Sequence, residues 1–174
     1  MCSASQQLNQ RYSTNRLPIL ALVHLVATWF MVGLIWTIHF VHYPLFSFVG
    51  ESEYRDYQAE HVERIGRVLL VPWAVEGLCV AALLSLAFRL GYRYLRVPVF
   101  IGAGAMAVIL GISAFFSAPA HGKLADGFDA AVHSDLMLAD LLRTLAWTLR
   151  GLVAVWIVVL VWKNRNHVDP RPDQ

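Results

Sequence analysis

An all-α, four-helix transmembrane bundle with an amphipathic interfacial helix in its first loop is the fold class this sequence predicts, on three observations. Four apolar stretches, at 17–43, 68–88, 97–116 and 145–162, are each long enough to cross a bilayer core of about 30 Å as a helix. The composition, 57% hydrophobic and 15% charged with a mean hydropathy of +0.53, is more apolar than that of an ordinary soluble domain. Five of the seven histidines (His39, His42, His61, His121 and His133) fall at one end of the predicted bundle.

A leader, 1–16, carries only Arg11 and Arg16, and the apolar run after it is too long for a signal-peptide core, so it should remain as a signal anchor. Between the first two stretches, Tyr54, Tyr57, His61, Ile65 and Val68 recur every three or four residues, the pattern of an amphipathic helix near the interface. That helix runs toward Pro72, which deletes one helical hydrogen bond and is expected to kink or restart it. The third stretch, with Gly102, Gly104, Gly111 and several alanines, presents small residues that let neighbouring helices approach closely. The tail, 163–174, is short, polar and Pro-containing, the composition of a disordered end.

Charge sets the expected orientation, because short flanks rich in Lys and Arg stay cytoplasmic. Arg11, Arg16, Arg89, Arg93, Arg96, Lys163, Arg165 and Arg171 lie on one side, against Arg55, Arg64, Arg67, Lys123 and Arg143 on the other. Leader and tail should therefore face the cytoplasm across a bacterial inner membrane, with the histidine end outward and the 17–162 domain in the bilayer. The net charge of +2 is too small to imply a nucleic-acid partner, and the basic residues read as ordinary flanks. Cys2 and Cys79 lie at different depths, which argues against a disulfide.

Two groups of residues carry candidate chemistry. A carboxyl group inside a span costs several kcal/mol unless paired, protonated or hydrated, so Glu76 requires an account. Counted from the histidine end at ~1.5 Å per residue, Glu76 and Arg150 both sit roughly 8 to 12 Å deep, and they could pair across the bundle. Such a pair either fixes packing or handles protons. His39, His42, His61 and His121 share one depth, and neutral imidazoles beside Glu53, Glu60, Asp126 or Asp129 suit a transition metal. No His-Glu-X-X-His, Cys-X-X-Cys or Glu-X-X-His box is present. Haem held between histidines on different helices is disfavoured because spans two, three and four hold no internal histidine, leaving His24, or His39 with a loop ligand, as edge positions.

Val41-His42-Tyr43-Pro44-Leu45-Phe46, His61 with Arg64-Ile65 and Pro72, Pro119-Ala120-His121-Gly122-Lys123-Leu124 with Gly127-Phe128-Asp129, and Leu142-Arg143-Thr144 with Trp147 and Arg150 together resemble a family of small uncharacterised bacterial four-span membrane proteins. The closing Arg-Thr, Trp and Arg pattern distantly resembles the anthrone-oxygenase-like membrane family. That resemblance implies oxygen-dependent oxidation of polycyclic aromatic substrates. The segment from His24 to Trp36 followed by Arg64 to Pro72 faintly resembles haem-binding bacterial protoporphyrinogen oxidases. The expected function is an oxidoreductase-like enzyme acting on a lipophilic small molecule. His39, His42, His61 and His121 would bind a metal or polarise substrate oxygen, Glu76 would exchange protons, and Arg150 and Arg143 would complete the catalytic set. The alternatives are a non-catalytic accessory subunit, a small transporter component, or a haem-binding membrane protein.

Overall fold

A computed structural model describes the backbone of residues 4–168 and the side chains of residues 16–164. Helix α1 (Ala4–Thr37) runs through the leader into the first span, then continues as a π-helical turn, Ile38–His42, and a 3-10 turn, Pro44–Phe48. Helix α2 spans Tyr54–Phe88. A 3-10 turn, Arg93–Leu95, leads into α3 (Arg96–Ile112), a second π-helical turn, Ser113–Ser117, and α4 (Ala118–Leu124). Helix α5 covers Ala130–Val168; the remainder of the tail lies outside the described residues. Four segments, Arg16–Phe48, Tyr54–Phe88, Arg93–Leu124 and Ala130–Asn164, are long and apolar enough to cross a membrane, and no strand occurs among the described residues. The expected four-helix fold is present.

The amphipathic segment of the first loop is helical, and it forms the N-terminal part of α2 rather than a separate piece. Pro72 lies inside that helix without breaking it, since one missing N–H is tolerated where the other backbone bonds of a span are kept. At ~1.5 Å per residue α2 is about 52 Å long, well beyond a hydrocarbon core of about 30 Å. Its first turns, with the exposed pairs Glu60–Arg64 at 2.7 Å and Glu63–Arg67 at 2.9 Å, therefore overhang at the histidine end.

Both π turns have the same local cause. His42 and Ser117, the last residues of the two turns, each stand two positions before a proline, Pro44 and Pro119. A proline ring collides with the carbonyl four residues back, here that of Phe40 or Phe115. A wider turn closed by a bond five residues back moves that carbonyl aside. Accordingly Tyr43 N–H donates to Ile38 O at 2.9 Å, and Ala118 N–H donates to Ser113 O.

The core has three layers. Leu17, Leu83, Leu95, Val99 and Ile157 fill the end opposite the histidine row, Met31, Ile35, Met106, Ile109 and Trp147 the middle, and Tyr43, Phe46, Tyr54, Leu124 and Leu136 the histidine end. Gly151 sets the approach of α5 to α1, because a Cβ there would lie 3.2 Å from Val32 and 3.3 Å from Trp29. Gly102 does the same between α3 and α5, with Val153 at 3.3 Å, whereas Gly104 and Gly111 face open space. The small-residue surface of span three is thus a packing surface on one side only.

Candidate functional site

The middle of the bundle holds one buried ionic centre to which all four spans contribute. Glu76 from α2 and Arg150 from α5 are 0% and 1% exposed, and Arg150 Nη2 donates to Glu76 Oε2. The Thr28 hydroxyl of α1 contacts the other carboxylate oxygen, and Arg150 Nη1 donates to Gly102 O of α3 at 2.6 Å. His24 Nε2 stands 3.7 Å from Glu76, and the Arg150 guanidinium lies 5.4 Å from the Trp147 ring centroid. The pairing expected from depth counting is therefore present. Both carboxylate oxygens are occupied, which is the condition for an ionised carboxylate to be tolerated there.

Toward the histidine end a second polar network forms around Asp140, which is fully buried on α5. Arg143 Nη2, one turn along, donates to Asp140 Oδ1 at 2.6 Å, and His39 Nδ1 contacts Asp140 Oδ2 at 3.2 Å. Arg143 also reaches Tyr43 Oη at 3.5 Å and Ser113 Oγ at 3.4 Å. His121 Nε2 contacts Tyr43 Oη at 3.0 Å, while Gln58 Nε2 contacts His121 Nδ1 at 2.8 Å. With the Gln58 amide donating, neutral His121 keeps its proton on Nε2 and directs it at Tyr43 Oη. Tyr43 then accepts from both His121 and Arg143, and its own proton is free to point elsewhere. His61 completes the row, 2.8 Å from His42 through ring nitrogens and 5.2 Å from His121 between centroids.

Beside this network lies a partly open cavity of about 180 Å³. Its wall is apolar where Met31, Leu34, Ile35 and Ile38 of span one meet Ile65 and Leu69 of α2. Tyr43, His121, Arg143, Ser113 and Ser117 lie along its part toward the histidine end, and Trp73 and Trp147 toward the middle of the bundle. Three of these lining residues hold buried polar atoms without a hydrogen-bond partner: Ser117 Oγ, Arg143 Nε and Trp73 Nε1. Such atoms cost free energy in a dry interior, on the order of 1–3 kcal/mol each.

The residues singled out from the sequence thus separate into two places. Arg143 and His121 line the cavity, His61 and His42 stand behind His121, and His39 is drawn away to Asp140. Glu76 and Arg150 lie deeper and do not line the cavity; Trp147, which lines the cavity and stacks near Arg150, connects the two. The carboxylates considered as ligands are used otherwise: Asp129 Oδ1 accepts the N–H groups of Ala131 and Val132 at the start of α5, and Glu60 pairs with Arg64. Among the described residues no group of three or more His, Cys, Asp or Glu side chains is placed to hold a metal ion, so the donor set does not fit the transition-metal expectation. Of the edge positions considered for haem, His24 stands 3.7 Å from Glu76 in the buried centre and His39 contacts Asp140.

Asp140, Tyr43, Gln58 and Ser117 escape a reading of the sequence alone. Asp140 carries the clearest signal, a carboxylate one turn before Arg143 within an apolar run, but it falls outside the fourth stretch when that stretch is started at 145. The structure begins the span at Ala130. No family model, curated protein or solved structure matches the chain.

Proposed function

We propose that this chain is a membrane enzyme of oxidoreductase type that acts on a lipophilic small molecule at the cavity beside Arg143, Tyr43 and His121. The carrying observation is the cavity itself, apolar along its wall and lined outward by Arg143, Tyr43, His121, Ser113 and Ser117. Such a site takes a molecule with an apolar body and an oxygen-bearing edge. Arg143 holds and polarises the oxygen, with its charge balanced by Asp140. The Tyr43 hydroxyl, bonded to His121, passes a proton to or from the substrate. In the oxidising direction the substrate would lose two protons and two electrons, and dioxygen, the acceptor implied by the distant resemblance, would become hydrogen peroxide. The Glu76–Arg150 centre would position Trp147 at the inner part of the cavity. The chain would lie in a bacterial inner membrane with both termini cytoplasmic.

The test is oxygen uptake and product formation by purified protein in proteoliposomes, with a panel of membrane-soluble phenols and quinols. His121→Ala and Arg143→Met should abolish turnover while the thermal unfolding profile persists; full activity in both variants sinks the assignment. The rival reading, a non-catalytic accessory subunit or transporter component, is favoured by one observation: all four spans meet at the satisfied Glu76 centre, which accounts for a stable bundle without chemistry. Solute flux dependent on Glu76, with no turnover of any lipophile, would favour that rival.

A further inference from the structure

Independently of the cavity, we infer that the short turn between α2 and α3, at the end opposite the histidine row, binds the headgroup of an anionic phospholipid. The fold of the turn brings two arginines together. Helix α2 ends where Gly91 takes a left-handed backbone, φ 84°, which glycine adopts without steric cost, and the chain doubles back so that Tyr92 N–H donates to Leu86 O at 3.2 Å. From the start of α3, Arg96 Nε then donates to Ala87 O at 3.0 Å, satisfying one of the last carbonyls of α2. The Arg96 guanidinium carbon stands 5.5 Å from the Phe88 ring centroid, and Phe88 is followed directly by Arg89. Holding Nε fixes the plane of the fork. Among the described residues neither Nη of Arg96, nor the side chain of Arg89 or Arg93, donates to a protein acceptor.

Membrane orientation alone does not account for this arrangement. Orientation is set by Lys and Arg and is nearly indifferent to Asp and Glu, whereas here the carboxylates are sorted as well. Between residues 4 and 168 every Asp and Glu except Glu76 falls within 51–63 or 126–140, at the histidine end; Asp169 and Asp173 of the tail lie outside the described residues. Arg96 is also the first residue of α3, where a cation opposes the helix dipole. Three arginines in one turn with no paired carboxylate repel one another, and an anion bound between them removes that repulsion.

Depth and surroundings select a lipid as the source of that anion. Tyr92 and Tyr94 pack edge to face at 6.1 Å, and tyrosines at the end of a span lie at the headgroup level. Phe88, Leu90, Val97 and Phe100, beside the arginines in sequence, are 48 to 69% exposed and offer an apolar surface to acyl chains. The planar guanidinium fork matches the oxygens of a phosphate. A zwitterionic headgroup would bring its ammonium among guanidinium groups with no described carboxylate to receive it, so the fitting headgroup is a phosphodiester without an amine.

The experiment is a titration of full-length protein in detergent micelles with phosphatidylglycerol, read by native mass spectrometry, with phosphatidylcholine of the same acyl chains as the reference. The first phosphatidylglycerol should bind at least about tenfold more tightly than phosphatidylcholine. Arg89→Gln with Arg96→Gln should weaken phosphatidylglycerol roughly 30-fold, at about fivefold for each charge removed. Arg89→Gln with Arg93→Gln leaves the Arg96–Ala87 contact in place and should weaken it by at least about tenfold, which keeps the test open if the first variant does not fold. Arg16→Gln with Lys163→Gln removes the same charge from the same end and should leave the preference intact. Equal affinity of wild type for the two lipids overturns the inference, and so does an equal loss in the Arg16, Lys163 variant, which would reduce the arginines to general flanking charge. Displacement of phosphatidylglycerol by an equal concentration of glycerol phosphate would overturn the lipid as occupant and make the turn a site for free phosphate.

Discussion

Removing both members of the Glu76–Arg150 pair should destabilise the bundle by less than the sum of the two single losses. The two side chains are 0% and 1% exposed, so neither charge can recover hydration when its partner is lost. Breaking a buried pair from one side costs about 3 to 5 kcal/mol. Glu76→Gln should fall near the lower figure, because the amide oxygen can still accept from Arg150 or Thr28 and Gly102 O still accepts from Arg150 Nη1. Arg150→Met should fall near the upper one, because it leaves the carboxylate facing only Thr28 and a His24 ring whose nitrogens make no hydrogen bond. The double variant replaces both charges, and its cost should be smaller than the sum by roughly 0.5 to 3 kcal/mol, the range of coupling between residues in direct contact. The assay is reversible unfolding in mixed micelles followed by circular dichroism for all four members of the cycle. Single variants costing under about 1 kcal/mol, or a double variant that is simply additive, would show that the pair holds nothing together and would reopen a proton-handling role for Glu76.

Three further outcomes are expected. Gly151→Ala, whose Cβ would meet Val32 at 3.2 Å and Trp29 at 3.3 Å, should cost about 1–3 kcal/mol in the same unfolding assay, whereas Gly104→Ala, with nothing within 4 Å, should stay within about 0.5 kcal/mol of wild type; equal costs would contradict the assigned α1–α5 contact. Pro119→Ala removes the ring that the wide Ser113–Ser117 turn accommodates. The turn should relax to α-helix and rotate α4 by about 100°, so the distance between spin labels attached at the exposed positions Lys123 and Glu63 should shift by several ångströms; an unchanged distance would refute the cause assigned to the turn. In a Cys2→Ser, Cys79→Ser background, Ser52→Cys should react with an impermeant maleimide applied to intact bacterial cells and Arg89→Cys should not; the opposite pattern would place the termini outside.

The spans are legible in the sequence because hydropathy sums over many residues, so an error of a few positions at either end of a stretch does not hide a helix. The Glu76–Arg150 contact is legible for a related reason: the rise per residue of a helix is nearly constant, and depth can be counted from one end. What escapes depends on rotation about the helix axis, which single residues can change. His39 and His42, three positions apart, share a face on an ordinary α-helix, and four histidines at one depth then read as one donor set. The wide turn Ile38–His42 separates them, sending His39 to Asp140 on α5 and His42 to His61 on α2. The same kind of turn brings Ser113 and Ser117 to the cavity wall. Pro44 and Pro119, visible from the start, mark where both turns end, while Pro72, inside α2, is accompanied by no such turn. A proline in an apolar stretch therefore permits a change of helical face without dictating it, and side chains beyond it can be assigned to a common site only after their rotation is known. Here that rotation removes His39 from the row formed by His42, His61 and His121 and leaves Arg143, Tyr43 and His121 as the groups nearest the cavity.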